Sequence, residues 1–171
     1  GLFTLSEKGI FDRFRGRIMF PIFHPSGKPI AFGGRIFNHD DPAKYLNSPE
    51  TPLYHKGSTF YGLQATRDSI RKNGSAILVE GYMDFLKLYQ GSITNILAIS
   101  GTAFTKEHTY SLHRITKKVV LLYDGDDAGA NAVIKAGWVL LKGDLDPLVV
   151  RPPNGLDPDD WIDKVGKEGV Q

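Results

Sequence analysis

The sequence contains no cysteine among its 171 residues. Disulfide bonds and zinc sites built from thiolates are therefore excluded within this chain. No apolar run approaches the roughly 18 residues that would predict a membrane-spanning helix, and the first residues lack the basic and long apolar parts of a signal peptide. These absences favour a cytoplasmic globular protein that does not contact a membrane.

The sequence also lacks a strong excess of charge of one sign, because 21 Lys and Arg face 19 Asp and Glu. The distribution is nevertheless uneven. Residues 1–75 carry eleven basic and six acidic side chains, whereas residues 76–171 carry ten and thirteen. A basic half favours binding of an anionic polymer or nucleotide, and an acidic half favours metal ions. Differences of this size also arise by chance, so the charge pattern alone leaves both interpretations open.

Hydrophobic periodicity predicts an α/β fold in the second half, where short apolar runs alternate with helical patterns. Strands are predicted at Ser75–Val79, 95–99, 118–123 and 148–150, and helices at 84–89, 106–114, 128–141 and 158–165. The first half predicts strands at Arg17–Phe23 and 29–37, an aperiodic stretch at 38–61 and a helix at 62–73. We therefore expect a basic subdomain over residues 1–73 and an α/β domain over residues 74–171.

Acidic side chains follow two of the predicted strands. Glu80 comes directly after Ser75–Val79, and Asp124 and Asp126 follow the strand at 118–123. Because ligands bind beyond the carboxyl ends of strands in open parallel sheets, these carboxylates should converge at one edge. Oxygen ligands without nearby His or Cys favour Mg²⁺ or Mn²⁺ over zinc. The pattern suits nucleotidyl transfer assisted by metal ions, and turn or helix-cap residues are the structural alternative.

A third acidic cluster lies near the end of the chain, in Asp157-Pro158-Asp159-Asp160. Asp before the first helical residue, Pro at that residue and further acids in the first turn are typical of an ordinary helix start. Taken alone, this cluster therefore predicts a helix cap.

The three acidic motifs occur in the order of the topoisomerase–primase (TOPRIM) fold: Glu80-Gly81-Tyr82-Met83-Asp84, Asp124-Gly125-Asp126 and Asp157-Pro158-Asp159. Segments 11–22, 31–35, 44–53, 55–57, 61–63 and 100–103 are similar to bacterial DnaG-type primases, so that the resemblance extends over the whole chain. It implies a TOPRIM domain, with a mostly parallel four-stranded sheet flanked by helices. Part of a basic mixed α+β subdomain would precede it, with the beginning of that subdomain missing.

The resemblance also implies a role for individual residues. Glu80, Asp124 and Asp126 would be catalytic residues and metal ligands, helped by Asp157 and Asp159, and Asp84 would support the first motif. In the basic half, a further set would contact nucleotide or nucleic acid: Arg13, Arg15, Arg35, Lys44, Asn47 and Lys56. Solvated surface charge is the alternative for the basic members of that set.

The activity implied by the resemblance is the synthesis of short RNA primers from ribonucleoside triphosphates on single-stranded DNA, with Mg²⁺ or Mn²⁺, at a bacterial replication fork. A zinc domain and a domain that binds the replicative helicase are expected outside this chain, so the isolated chain is expected to be weakly active or inactive. Two alternatives stay open. The chain could belong to another TOPRIM enzyme, a topoisomerase or nuclease, or it could be a non-catalytic module that binds single-stranded DNA.

Overall fold

A computed structural model describes residues 2–7, 9–37 and 42–170 of the chain. The chain forms two compact units, Gly1–His55 and Lys56–Gln171. This division lies before the helix Leu63–Asn73, whereas the boundary predicted from the sequence lies after it, between residues 73 and 74. The predicted boundary stays a proposal about how the domains are organised.

The first unit is built from antiparallel strands. Strands β1 (Phe3–Ser6) and β2 (Gly9–Asp12) form a hairpin, and β3 (Arg17–Phe23), β4 (Pro29–Ile36) and β5 (Tyr45–Asn47) form a sheet in that order. Along β3, Phe20 and Ile22 are buried, whereas Pro21 and Phe23 are exposed. This alternation with a period of two is the pattern that predicted the strand.

The second unit contains a four-stranded sheet whose strands are all parallel, in the order β7-β6-β8-β9. The strands are β6 (Ser75–Val79), β7 (Ile96–Ala98), β8 (Lys118–Leu121) and β9 (Asp146–Val149). The helices are α1 (Leu63–Asn73), α2 (Tyr82–Gln90), α3 (Lys106–His113), α4 (Asp127–Lys142) and α5 (Pro158–Val170). The predicted four-stranded sheet flanked by helices is confirmed.

The sheet of the second unit has an apolar core on each face, because side chains alternate between the two faces along a strand. Leu78 and Leu121 pack on the face covered by α1, α3 and α4, whereas Val79 and Leu122 pack on the face covered by α2 and α5. Burial on both faces explains why β6 and β8 appear in the sequence as continuous apolar runs. None of the helices in the described part of the chain combines the length and apolar character needed to cross a bilayer.

A buried histidine joins helix α3 to the segment made of the short 3₁₀ turn Lys56–Ser58 and Thr59. His108 Nδ1 accepts a hydrogen bond from the Thr105 amide, at 3.3 Å, and Nε2 lies 3.3 Å from the carbonyl oxygen of Thr59. These partners match the neutral tautomer that carries its proton on Nε2. The hydroxyl of Thr105 donates to the carbonyl oxygen of Gly57 and so ties the same two segments together.

The stability of the chain is expected to depend on pH through His108. Burial lowers the pKa of this imidazole from 6.5 to about 4. Between these values the unfolded chain binds a proton that the folded chain excludes, so His108 removes stability as the pH falls from about 6.5 to about 4, by about 3 kcal/mol in total. Urea denaturation across this range should therefore show that the free energy of unfolding falls more steeply with decreasing pH in the unmodified chain than in His108→Gln.

The control for this measurement is His24→Gln, which replaces an exposed histidine in the turn between β3 and β4. An equal pH dependence in the unmodified chain and in His108→Gln would show that the buried imidazole does not carry this effect.

Candidate active site

Acidic side chains from the first two motifs meet where the central strands β6 and β8 end. Glu80 follows β6, and Asp124 lies three residues after the end of β8. Burial, which has the largest effect, and the charges of Asp124, Asp84 and Asp126 together raise the pKa of Glu80 to about 7. When ionised, these carboxylates repel one another, and they lie together at the edge of the sheet where the sequence predicted them to converge.

Asp84, which was expected only to support the first motif, is the most buried of these carboxylates, with 8% of its surface exposed. It accepts a hydrogen bond from the Gly81 amide at 3.0 Å, across the first turn of α2. Burial, which has the largest effect, and the charges of Asp124, Asp159 and Asp157 together raise the pKa of Asp84 to about 7. Asp84 therefore links the first two motifs electrostatically to the third. We refer to Glu80, Asp84, Asp124, Asp126, Asp157 and Asp159 as the acidic cluster.

The third motif stands at the start of α5, and its carboxylates lie close together. Oxygen atoms of Asp157, Asp159 and Asp160 are all within 4.8 Å of one another. Asp160 was not among the metal ligands predicted from the sequence, although its place in the run Asp157-Pro158-Asp159-Asp160 could have suggested it. Asp157 directly precedes Pro158, the first residue of α5, so the position is compatible with both the predicted helix start and a ligand.

The residues of the acidic cluster fit a divalent cation. Every donor atom that they offer is a carboxylate oxygen, which is the preferred ligand type of Mg²⁺ and Mn²⁺. Glu80 Oε1 is buried, and it has no hydrogen-bond partner among the described residues. Asp126 has a structural role as well, because its Oδ1 caps α4 by accepting a hydrogen bond from the Gly129 amide at 2.7 Å.

Four of the residues predicted to bind nucleic acid lie close together in the first unit. The guanidinium of Arg13 donates to the carbonyl oxygen of Asn47 at 3.1 and 3.3 Å. Arg35 and Lys44 lie over the ring of Tyr45, at 5.9 and 6.0 Å from its centre. Arg15 is exposed in the turn after β2, and Lys56 belongs to the second unit. Because the Arg13 guanidinium is hydrogen-bonded to the backbone of Asn47, this side chain is more than a solvated surface charge.

Removing one charge from the acidic cluster is expected to stabilise the metal-free chain. The folded-state pKa of Asp84 is raised from 3.8 to about 7, so its ionisation costs stability as the pH rises through this range. Asp84→Asn should therefore match the unmodified chain near pH 4 and exceed it in stability at pH 8 by on the order of 4 kcal/mol. Asn can still accept the hydrogen bond from Gly81.

Urea denaturation in the presence of EDTA measures this difference. Asp146→Asn, which removes an exposed carboxylate from strand β9, is the matched control. A stability difference for Asp84→Asn that stays constant between pH 4 and pH 8 would contradict the raised pKa of Asp84.

Comparison with known proteins agrees with this fold. The family model described as Toprim-like matches residues 77–162, and the chain therefore belongs to the Toprim-like family. The model of the DNA primase catalytic core, N-terminal domain, matches residues 1–67. The similarity to bacterial DNA primases that the sequence motifs indicated is thus confirmed.

Relatives and solved structures match along almost the whole chain. The DNA primase of Clostridium acetobutylicum is 43% identical over 169 residues, covering 98% of this chain and 28% of that protein. The crystal structure of the Aquifex aeolicus primase, with zinc-binding and RNA polymerase domains, is 40% identical with a TM-score of 0.93, over 99% of this chain and 42% of that one. The DnaG primase catalytic domain bound to ssDNA is 40% identical, with a TM-score of 0.88, and the match covers 99% of this chain and 56% of that one. The chain thus spans little more than a quarter of the curated relative.

Proposed function

We propose that this chain is the part of a DNA primase that binds metal ions and nucleotide during the synthesis of RNA primers. The observation that carries this proposal is the acidic cluster at the carboxyl edge of the Toprim sheet, where burial and mutual repulsion raise the pKa of both Glu80 and Asp84 to about 7. Carboxylates held together at this cost to stability are typical of a site that binds cations.

In the proposed reaction, the 3′-hydroxyl of one ribonucleotide attacks the α-phosphate of a ribonucleoside triphosphate, and pyrophosphate leaves. Glu80, Asp124 and Asp126 would hold Mg²⁺ or Mn²⁺ together with Asp157 and Asp159. Bound metal ions would stabilise the attacking and the leaving oxygen. In the alternative role, Glu80 would not ligate the metal but would accept the proton of the attacking hydroxyl as a general base.

The basic residues of the chain would hold the phosphates of the template and of the incoming nucleotide. Arg offers paired hydrogen bonds to phosphate, and Lys offers a point charge. We assign this role to a set that combines both types with one amide: Arg13, Arg15, Arg35, Lys44, Asn47 and Lys56. The 40% identical DnaG catalytic domain bound to ssDNA supports a single-stranded DNA template. Contact with the replicative helicase at a bacterial replication fork is proposed for the longer protein.

Calorimetric titration of a ribonucleoside triphosphate into this chain, with and without Mn²⁺, tests the proposal. We expect binding that depends on Mn²⁺ and that weakens at least about 10-fold in Asp124→Asn, because the variant removes one carboxylate of the proposed metal site. Asp68→Asn, which removes an exposed carboxylate from α1 outside the acidic cluster, is the control.

Two results would count against the proposed function. Nucleotide binding that is equally strong without Mn²⁺ and in Asp124→Asn would mean that the acidic cluster does not hold the catalytic metal. Binding of single-stranded DNA without any binding of nucleotide would favour a non-catalytic DNA-binding module.

A further inference from the structure

A surface groove lies between helices α3 and α4 of the second unit. Its volume is about 400 Å³, which is in the range of ordinary ligand pockets. We refer to it as the α3–α4 groove, and side chains from both helices line it, among them Lys106, Tyr110, His113, Val139 and Lys142.

The floor of the α3–α4 groove is apolar, because the two helices approach each other closely at Gly143. A Cβ atom at Gly143 would clash with the methyl carbon of Thr109, which also lines the groove. The hydroxyl of Thr109 donates to the carbonyl oxygen of Thr105 at 3.2 Å, within its own helix, so the methyl group is what the side chain presents toward α4. Val139, which is half-buried, adds two more methyl groups. The floor therefore offers apolar contact to a ligand.

An exposed aromatic ring forms one wall of the groove. Tyr110 is 71% exposed, and the guanidinium of Arg114 lies over its ring, 5.9 Å from the centre. Such a cation–π contact occupies one face of the ring and holds its orientation. A fixed tyrosine beside an apolar pocket is typical of protein–protein interfaces, whereas single-stranded nucleic acid is bound by aromatic rings that stack on successive bases.

The rim of the groove is basic. Lys106 and Lys142 are both exposed, and they line the groove together with the imidazole of His113. The carboxylate of Asp144, just after α4, forms an ion pair with Lys117, so its charge is neutralised locally. A basic rim around an apolar floor is complementary to a ligand that combines negative charge with an apolar group.

The α3–α4 groove lies apart from the acidic cluster. Helices α3 and α4 end shortly before strands β8 and β9 begin, so Lys142 and Gly143 lie toward the amino ends of the strands. The acidic cluster lies beyond the carboxyl ends of the central strands. A ligand in the groove would therefore leave the acidic cluster accessible.

We propose that the α3–α4 groove is a docking site for an acidic peptide segment of a partner protein. One apolar or aromatic side chain of the peptide inserts between Tyr110 and Val139, and the flanking carboxylates pair with Lys106 and Lys142. The inference goes beyond the proposed function, because neither the metal site nor the nucleotide site includes these residues.

Fluorescence anisotropy with synthetic labelled peptides tests this inference. The probe carries one central phenylalanine with three aspartates on each side, and two comparison peptides replace the phenylalanine by serine or all the aspartates by lysine. The unmodified chain should bind the probe, and it should bind each comparison peptide at least about 10-fold more weakly. Raising the salt concentration from about 0.1 M to about 1 M should weaken binding of the probe, because it shortens the screening length from about 10 to about 3 Å.

Two substitutions assign the binding to the groove. Lys142→Glu should weaken binding of the probe at least about 5-fold, because the reversed charge repels the aspartates. Tyr110→Ser should weaken it about 10-fold, because the aromatic wall is removed. Lys72→Glu, which reverses an exposed charge at the end of α1, is the matched control and should leave binding of the probe unchanged. The unfolding temperature and Mn²⁺-dependent nucleotide binding should change little in all three variants.

Three results would overturn the inference. The first is a lack of binding of the probe to the unmodified chain, and the second is binding that neither Lys142→Glu nor Tyr110→Ser weakens. The third is binding of single-stranded oligothymidylate that Lys142→Glu abolishes, without binding of the probe, which would assign the groove to nucleic acid. None of these results affects the proposed function, which the nucleotide titration tests separately.

Discussion

Replacing Gly129 by alanine is expected to lower the free energy of unfolding by at least about 3 kcal/mol. Gly129 is buried in the first turn of α4, and a Cβ atom there would lie 2.2 Å from the carbonyl oxygen of Asp124. That oxygen belongs to the backbone, so the new methyl group can be accommodated only if the end of the strand or the start of the helix moves. The same movement would displace Asp124, and Mn²⁺ binding should be lost together with stability.

Gly137→Ala in the same helix is the matched control. A Cβ atom at Gly137 has its nearest neighbour, a methyl carbon of Leu121, at 4.0 Å, and alanine is favoured over glycine in a helix by up to about 1 kcal/mol. Urea denaturation should therefore show a strong loss for Gly129→Ala and a small gain for Gly137→Ala. Equal effects of the two substitutions would mean that helix propensity, and not the contact with Asp124, decides the outcome.

Glu80→Gln is expected to reduce primer synthesis at least about 100-fold in a full-length primase that contains this segment. The change keeps the shape of the side chain and removes its charge, so that the proposed metal site loses a ligand. The same change also removes the carboxylate if its role is to accept the proton of the attacking hydroxyl. Binding of single-stranded DNA should be unchanged, because the proposed contacts with the template come from the basic residues.

The assay is the incorporation of labelled ribonucleotides on single-stranded DNA in the presence of Mg²⁺. Glu107→Gln, which neutralises an exposed glutamate in the first turn of α3, serves as the control. Primer yields that are unaffected by Glu80→Gln would favour the non-catalytic binding module over the enzyme.

The parts of the fold that could be predicted from the sequence are those with a clear hydrophobic period. Strand β6 has the predicted bounds, Ser75–Val79, because its apolar run between Gly74 and Glu80 forms a strand buried on both faces of the sheet. Strand β9 was predicted at 148–150 but spans Asp146–Val149, since an edge strand tolerates Pro147. Strand β5 was not predicted, because three residues between turns give no period. The hairpin of β1 and β2 was also not predicted.

The candidate site could be predicted only as far as residue type and strand ends allow. Glu80 and Asp124 follow apolar runs, which is visible in the sequence. The burial of Asp84 was not predictable, because it depends on how α2 packs. Its raised pKa was not predictable either, because it depends also on the charges of Asp157 and Asp159, which are more than seventy residues away along the chain.

The order of strands in the sheet has a consequence for synthesis on the ribosome. Strand β6 is central, yet both of its partners, β7 and β8, are synthesised after it. The backbone groups on both edges of β6 can therefore pair only after β7 and β8 have been synthesised. Between Glu80 and Asp157 lie 77 steps of elongation, which take about 4 to 15 seconds at 5–20 residues per second. For the first 41 of these steps, until β8 ends at Leu121, the apolar strand β6 is incompletely paired, and the acidic cluster can form only after Asp157 has been added.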